Sequence, residues 1–173
     1  MRADAMICVL ALSTMTVLAA KPVALTGPLA SPEHWAEAKA PGVLGELASK
    51  MKEINSKDSR NLARVGELQL RAGQTAEAEK TFAAALASDP KDDEACRIIA
   101  VTYRDLKMWD KADEWFKKAT ELDPKDLDHQ VEWGVSYWPR GDHKKAAEIF
   151  TKVLGAEPET ERLYYKIGQG IGR

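Results

Sequence analysis

Phe82, Phe116 and Phe150 stand 34 residues apart, and so do Ala78, Ala112 and Ala146, and again Pro90, Pro124 and Pro158. Three columns with one spacing mark an internal repeat, and a period of this size is that of a stacked-repeat architecture. Such units cannot bury their apolar faces alone, so neighbouring units must stack.

Each unit reads as two helices and a turn. In the middle unit Cys96, Ile99, Ala100, Tyr103 and Leu106 follow a 3-and-4 spacing and share one helical face. Ala112, Phe116, Ala119 and Leu122 repeat this pattern in the second helix. Small residues (Gly66, Ala100 and Gly134, then Ala78, Ala112 and Ala146) stand where the two helices approach most closely, and the phenylalanines fill the space beside them. Each unit closes on a proline. It lacks a backbone donor and disfavours helix in the residue before it, which predicts helix ends near Asp89, Asp123 and Glu157.

The columns resemble the tetratricopeptide repeat, W-x2-L-G-x2-Y, then A-x3-F, then P. The third unit carries Gln130-x2-Trp133-Gly134-x2-Tyr137, then Ala146-x3-Phe150, then Pro158. The second carries Cys96-x2-Ile99-Ala100-x2-Tyr103, Ala112-x3-Phe116 and Pro124, and the first Leu62-x2-Val65-Gly66-x2-Gln69, Ala78-x3-Phe82 and Pro90. The resemblance spans Ser59 to Pro158 and implies an all-α, right-handed solenoid of helix-turn-helix repeats. We assign repeats to 59–92, 93–126 and 127–160.

The flanks read as caps, since terminal repeats are atypical. Residues 31–58 form a degenerate N-terminal unit: Ser31-Pro32 starts a short helix through Trp35 that ends at Pro41-Gly42, and a second helix runs from Val43 to Ile54. Residues 161–173 supply a lone capping helix ending near Gly168, after which Gly168, Gly170 and Gly172 fray the chain. Residues 21–30, with two prolines and a glycine, are a linker.

Residues 1–20 differ in kind. Met1-Arg2 precede a charge-free apolar run from Ala5 to Ala20, the pattern of a secretory signal cleaved after Ala19 or Ala20. Uncleaved, it would act as an anchor, the one route to a membrane. The expected location is the periplasm or cell envelope. If Cys8 leaves with the signal, Cys96 is alone in the chain and reads as a buried structural thiol.

Little points to chemistry. Net charge is −2 with 30% charged residues, which argues against a nucleic-acid binder. His34, His129 and His143 show no metal-site spacing, and no C-x-x-C, G-x-S-x-G, P-loop or dinucleotide motif occurs. We expect no enzyme activity, no cofactor and no metal.

What the resemblance implies is peptide capture on the concave surface lined by the first helices. Carried over residue by residue, it nominates Arg64, Arg71, Arg97, Ile98, Val101, Arg104, Val135, Trp138 and Tyr165. The arginines are concentrated in the N-terminal half, while Asp128 and Glu132 make the other end acidic. Arginine forks suit carboxylate recognition. Ile98, Val101, Val135 and Trp138 lie outside the core-facing phase, as exposed anchors would. The competing reading pairs the arginines with Glu67, Glu94 and Asp105 and packs Trp138 on the Pro139-Arg140-Gly141 turn. Some members of the family clamp acidic chaperone tails with Lys, Asn and Arg. The matching positions here hold Ala63, Glu67, Ile98, Asp128 and Glu132, so that role is not implied. The expected function is a non-enzymatic adaptor for a protein or peptide partner. The alternative is a self-associating homo-oligomeric scaffold, built end to end or through Trp109 and Trp115.

Overall fold

The computed structural model describes residues 27–37 and 39–172; the segment read as an export signal lies outside them. Helices α1 (Pro32–Glu37), α2 (Ala40–Ile54), α3 (Ser59–Arg71), α4 (Thr75–Ser88), α5 (Asp93–Asp105), α6 (Trp109–Leu122), α7 (Leu127–Tyr137), α8 (His143–Ala156) and α9 (Glu161–Ile171) follow one another, with single 3-10 turns at Pro28–Ala30 and Trp138–Arg140. No strand occurs among the described residues. The fold is an all-α solenoid: α3 packs on α4, α5 on α6 and α7 on α8, and the first helices stack, α3 on α5 and α7 on α9. No helix among the described residues is long and apolar enough to cross a membrane.

The start of each repeat is capped with the same period. Asp58, Asp92 and Asp126 accept hydrogen bonds from the backbone N–H of Asn61 (2.6 Å), Ala95 (3.2 Å) and Asp128 (2.8 Å). The second helices end at Ser88, Leu122 and Ala156, one residue before the positions named from the prolines. The turn between the two helices needs a left-handed residue at Gly73 (φ 81°), Lys107 (φ 59°) and Gly141 (φ 77°). Glycine fills two of these three equivalent positions at no steric cost, and Lys107 occupies the third against its backbone preference.

Two boundaries differ from expectation. Pro41 and Gly42 open α2 rather than closing α1, because proline is tolerated in a first turn, where its missing N–H is not needed. The C-terminal glycines do not fray: α9 continues to Ile171. Gly170 lies so close to α7 that a Cβ there would come within 2.2 Å of Val135 Cγ2, so inter-helix packing holds a turn that glycine propensity alone would release.

The core divides in two. One cluster spans repeats 1 and 2 and includes Phe82, Ile99, Ala100, Tyr103 and Phe116; the other comprises Val131, Val153 and Leu163 with partly buried Leu127, Val135, Ile149, Leu154 and Ile167. Cys96 is fully buried within repeat 2, and burial pushes its thiol up to about 11, which keeps it protonated and unreactive at neutral pH. Within repeat 1 the two helices meet closely at Gly66, where a Cβ would come within 2.4 Å of Phe82 Cε1. Gly66→Ala is therefore expected to lower unfolding free energy by about 1–3 kcal/mol in urea titration, overriding alanine's helix preference of roughly 1 kcal/mol. Adding Phe82→Leu should recover part of this loss; a Gly66→Ala protein as stable as the parent would show that the ring moves aside freely.

Candidate functional site

The two core clusters meet at a seam between α5 and α7, helices that approach less closely than α3 and α5 or α7 and α9. Polar contacts bridge it. Glu132 on α7 accepts from Arg97 (2.9 Å) and lies 3.5 Å from Arg104 on α5 and 3.3 Å from Lys166 on α9. Asp113 on α6 takes both ends of the Arg140 fork, at 2.7 and 2.9 Å, and accepts from Trp133 Nε1 at 2.9 Å. Burial alone would raise the Asp113 carboxyl, but the Arg140 and Trp133 hydrogen bonds outweigh it and hold that group below its ordinary range.

Beside this seam a recess of about 330 Å³ opens between α5, α7, α9 and the Trp138–Arg140 turn. Its walls are Trp109, Val131, Val135, Trp138, Pro139 and Ile171, and its charged rim is Arg104, Asp105, Lys107, Glu132 and Lys166. Trp138 is 36% exposed, with its ring centroid 4.3 Å from that of His143 on α8. The side chain thus packs at the turn and also presents surface to the recess.

The nominated residues fall in different places. Arg104, Val135 and Trp138 line the recess. Arg71, Arg97 and Arg104 are engaged by the chain's own carboxylates: Arg71 by Glu67 and Asp105 (both 3.0 Å), Arg97 by Glu94 (2.7 Å) and Glu132, Arg104 by Asp105 (3.0 Å) and Glu132. Arg64 is exposed without an ion pair among the described residues, Val101 is half-buried against the larger core cluster, and Tyr165 is exposed and does not line the recess, though it accepts from Gln169, which does. Ile98 is a correction. It is only 8% exposed, because α5 is covered by α3 as well as α6, so its buried stripe is wider than one helix contact requires. The recess wall at Val131 and the clamp-matching position Ala63 are likewise fully buried. Trp115, considered for self-association, packs against the repeat 1–2 core.

Sequence reasoning missed Lys107, Lys166 and Ile171 as lining residues. Ile171 stands 34 positions after Tyr137, so the period held that signal, but ending the helix at Gly168 discarded it. It also missed a cluster at the other end of the seam, where Asp93, Asp126 and His129 bring one ligand atom each within 4.8 Å of one another.

Residues 69–130 match the tetratricopeptide repeat family model. BBSome complex member BBS4 of Bos taurus is 31% identical over 108 residues, covering 62% of this chain and 21% of that protein, and its Mus musculus counterpart is 30% identical over the same length. The chain thus spans about a fifth of the length of these curated relatives. Among solved structures, a crystal structure of MamA superposes with a TM-score of 0.52 at 20% identity, covering 74% of this chain and 75% of that one. The structure of Naa15/Naa10 bound to HypK-THB gives 0.53 at 20% identity, covering 81% of this chain and 21% of that one. At such identities the structural likeness establishes the fold alone.

Proposed function

We propose that this chain is a non-enzymatic docking module of the periplasm or cell envelope, seating a segment of a partner protein in the recess between α5, α7 and α9. The observation that carries the proposal is Lys107. The left-handed turn position is glycine in repeats 1 and 3, and only in repeat 2, where the residue lines the recess, is it a lysine. A non-glycine residue there costs about 1–2 kcal/mol, and backbone strain retained at the edge of a recess points to use of the side chain. Arg104 and Lys166 are neutralised by Asp105, Asp128 and Glu132, whereas Lys107 has no ion pair among the described residues. The partner segment accordingly presents a large apolar side chain to Trp109 and Trp138 and a carboxylate to Lys107.

The comparisons agree in kind: one relative is named as a complex member, and one solved neighbour is titled as bound to another protein. The placement in the envelope rests on the apolar run from Ala5 to Ala20.

The test is affinity capture from envelope extract using the chain from Lys21 onward, beside Lys107→Gly and Trp138→Ala variants. Lys107→Gly removes the strain, so it should fold at least as stably as the parent, by up to about 1 kcal/mol, yet lose partner. Trp138→Ala should weaken the captured interaction roughly 30-fold, the size of an aromatic hot spot. Equal recovery with all three proteins would sink the assignment of function to the recess.

A further inference from the structure

His129 lies in the seam at the opposite end from the recess's tryptophans, 1% exposed, with a carboxylate on each side of its ring. On one side its Nε2 is 2.8 Å from Asp93 Oδ2, the first residue of α5. An ionised carboxylate only accepts, so Nε2 carries the hydrogen and, in the neutral ring, Nδ1 keeps a bare lone pair. On the other side Nδ1 is buried and has no hydrogen-bond partner. Its neighbour is Asp126 Oδ2 at 3.6 Å, too far for a hydrogen bond. An orphaned nitrogen facing a carboxylate in the interior is costly unless something sits between them.

We propose that His129 Nδ1 and Asp126 Oδ2 bind one divalent transition-metal ion of the zinc type, with Asp93 as the positioning residue that orients the imidazole. Two ligand atoms each about 2.1 Å from a tetrahedral metal stand about 3.4 Å apart, close to the spacing observed here. The Asp93–His129 contact is the arrangement in which a metal-bound histidine donates its second ring N–H to a carboxylate, which holds the tautomer and raises the basicity of the ligating nitrogen. One imidazole nitrogen and one carboxylate oxygen suit zinc rather than calcium or magnesium, which prefer all-oxygen sites. Asp126 is already held rigid: its Oδ1 caps α7 through the Asp128 N–H at 2.8 Å, leaving Oδ2 free to ligate. Its side chain is 34% exposed, so the ion has an entry path and water completes its coordination. The nearby cations do not compete for these carboxylates, because Arg60 is bound to Asp92 and Arg97 to Glu94 and Glu132. Both ligands lie at the start of α7, and the Asp93–His129 contact is what couples the site across the seam to α5. This inference does not depend on the docking reading.

The test is thermal unfolding of the full chain, stripped with chelator, with and without zinc chloride, alongside cobalt(II) absorption to count the ligands' metal equivalents. Zinc about tenfold above its Kd should raise the unfolding midpoint by about 3–6 °C by mass action. The zinc-dependent shift should vanish in Asp126→Asn, which keeps the helix cap, and in His129→Gln. Each variant is compared with itself, so a lower basal stability does not obscure the result. In Asp93→Asn the shift should shrink rather than disappear. No zinc-dependent shift in the parent would overturn the proposal. So would a shift of equal size in Asp126→Asn and His129→Gln, which would put the metal elsewhere, for example at the His34–Glu46 pair.

Discussion

Phe116→Ala is expected to lower the unfolding free energy by about 3–5 kcal/mol, a large part of the 5–15 kcal/mol typical of a folded domain. Phe116 is fully buried, enclosed by a cluster that runs through repeats 1 and 2, where neighbouring helices on both sides prevent the cavity from collapsing. The equivalent Phe150 is only half-buried, because repeat 3 is covered beyond α8 by the single helix α9. Truncating Phe150 should therefore cost clearly less. Urea titrations of the two variants under one condition measure the order directly. Amide exchange adds a second reading, since in a stacked array stability is a sum over units and their interfaces, and Phe116→Ala should loosen repeat 2 first. If Phe150→Ala proved the more damaging, repeat 3 and not the repeat 1–2 cluster would hold the array together.

Asp113→Ala should cost about 2–3 kcal/mol at neutral pH, although Asp113 lies on neither core face. Its carboxylate takes the Arg140 fork and the Trp133 indole N–H; without it the indole N–H loses its partner and Arg140 loses its counter-charge, keeping only its bonds to Ser136. Arg140 is only 15% exposed, so water replaces the lost bonds poorly. The Asp113 carboxyl is held below its unfolded value, so its ionised form favours the folded state. That contribution is complete above the unfolded carboxylate pKa of about 3.9 and is lost as pH falls through the depressed folded value. The stability gap between parent and variant should thus be full at neutral pH and close in acid. A gap that stayed constant down through the carboxylate range would mean that packing, not the charge, is what the substitution removes.

The sequence by itself determined the helix pairs, the stacking and the column of inward-facing phenylalanines, because each is written in local periodicity. A 3-and-4 spacing specifies a helical face, a proline stops a helix, and a 34-residue recurrence makes both legible three times over. The turn column of Gly73, Lys107 and Gly141 was legible in the same way, though its meaning needed the backbone angle at Lys107. The tertiary structure alone decided the seam. How far α5 and α7 stand apart depends on side chains from four helices packing together, which no single helix's pattern encodes. That spacing commits Arg97 and Arg104 to Glu132, opens the recess beside Trp138, and brings His129 against Asp93 from 36 residues away, while the cover of α3 and α6 on α5 buries Ile98. Periodicity names which face of a helix is covered; only the angle between repeats decides what two covered faces leave open between them.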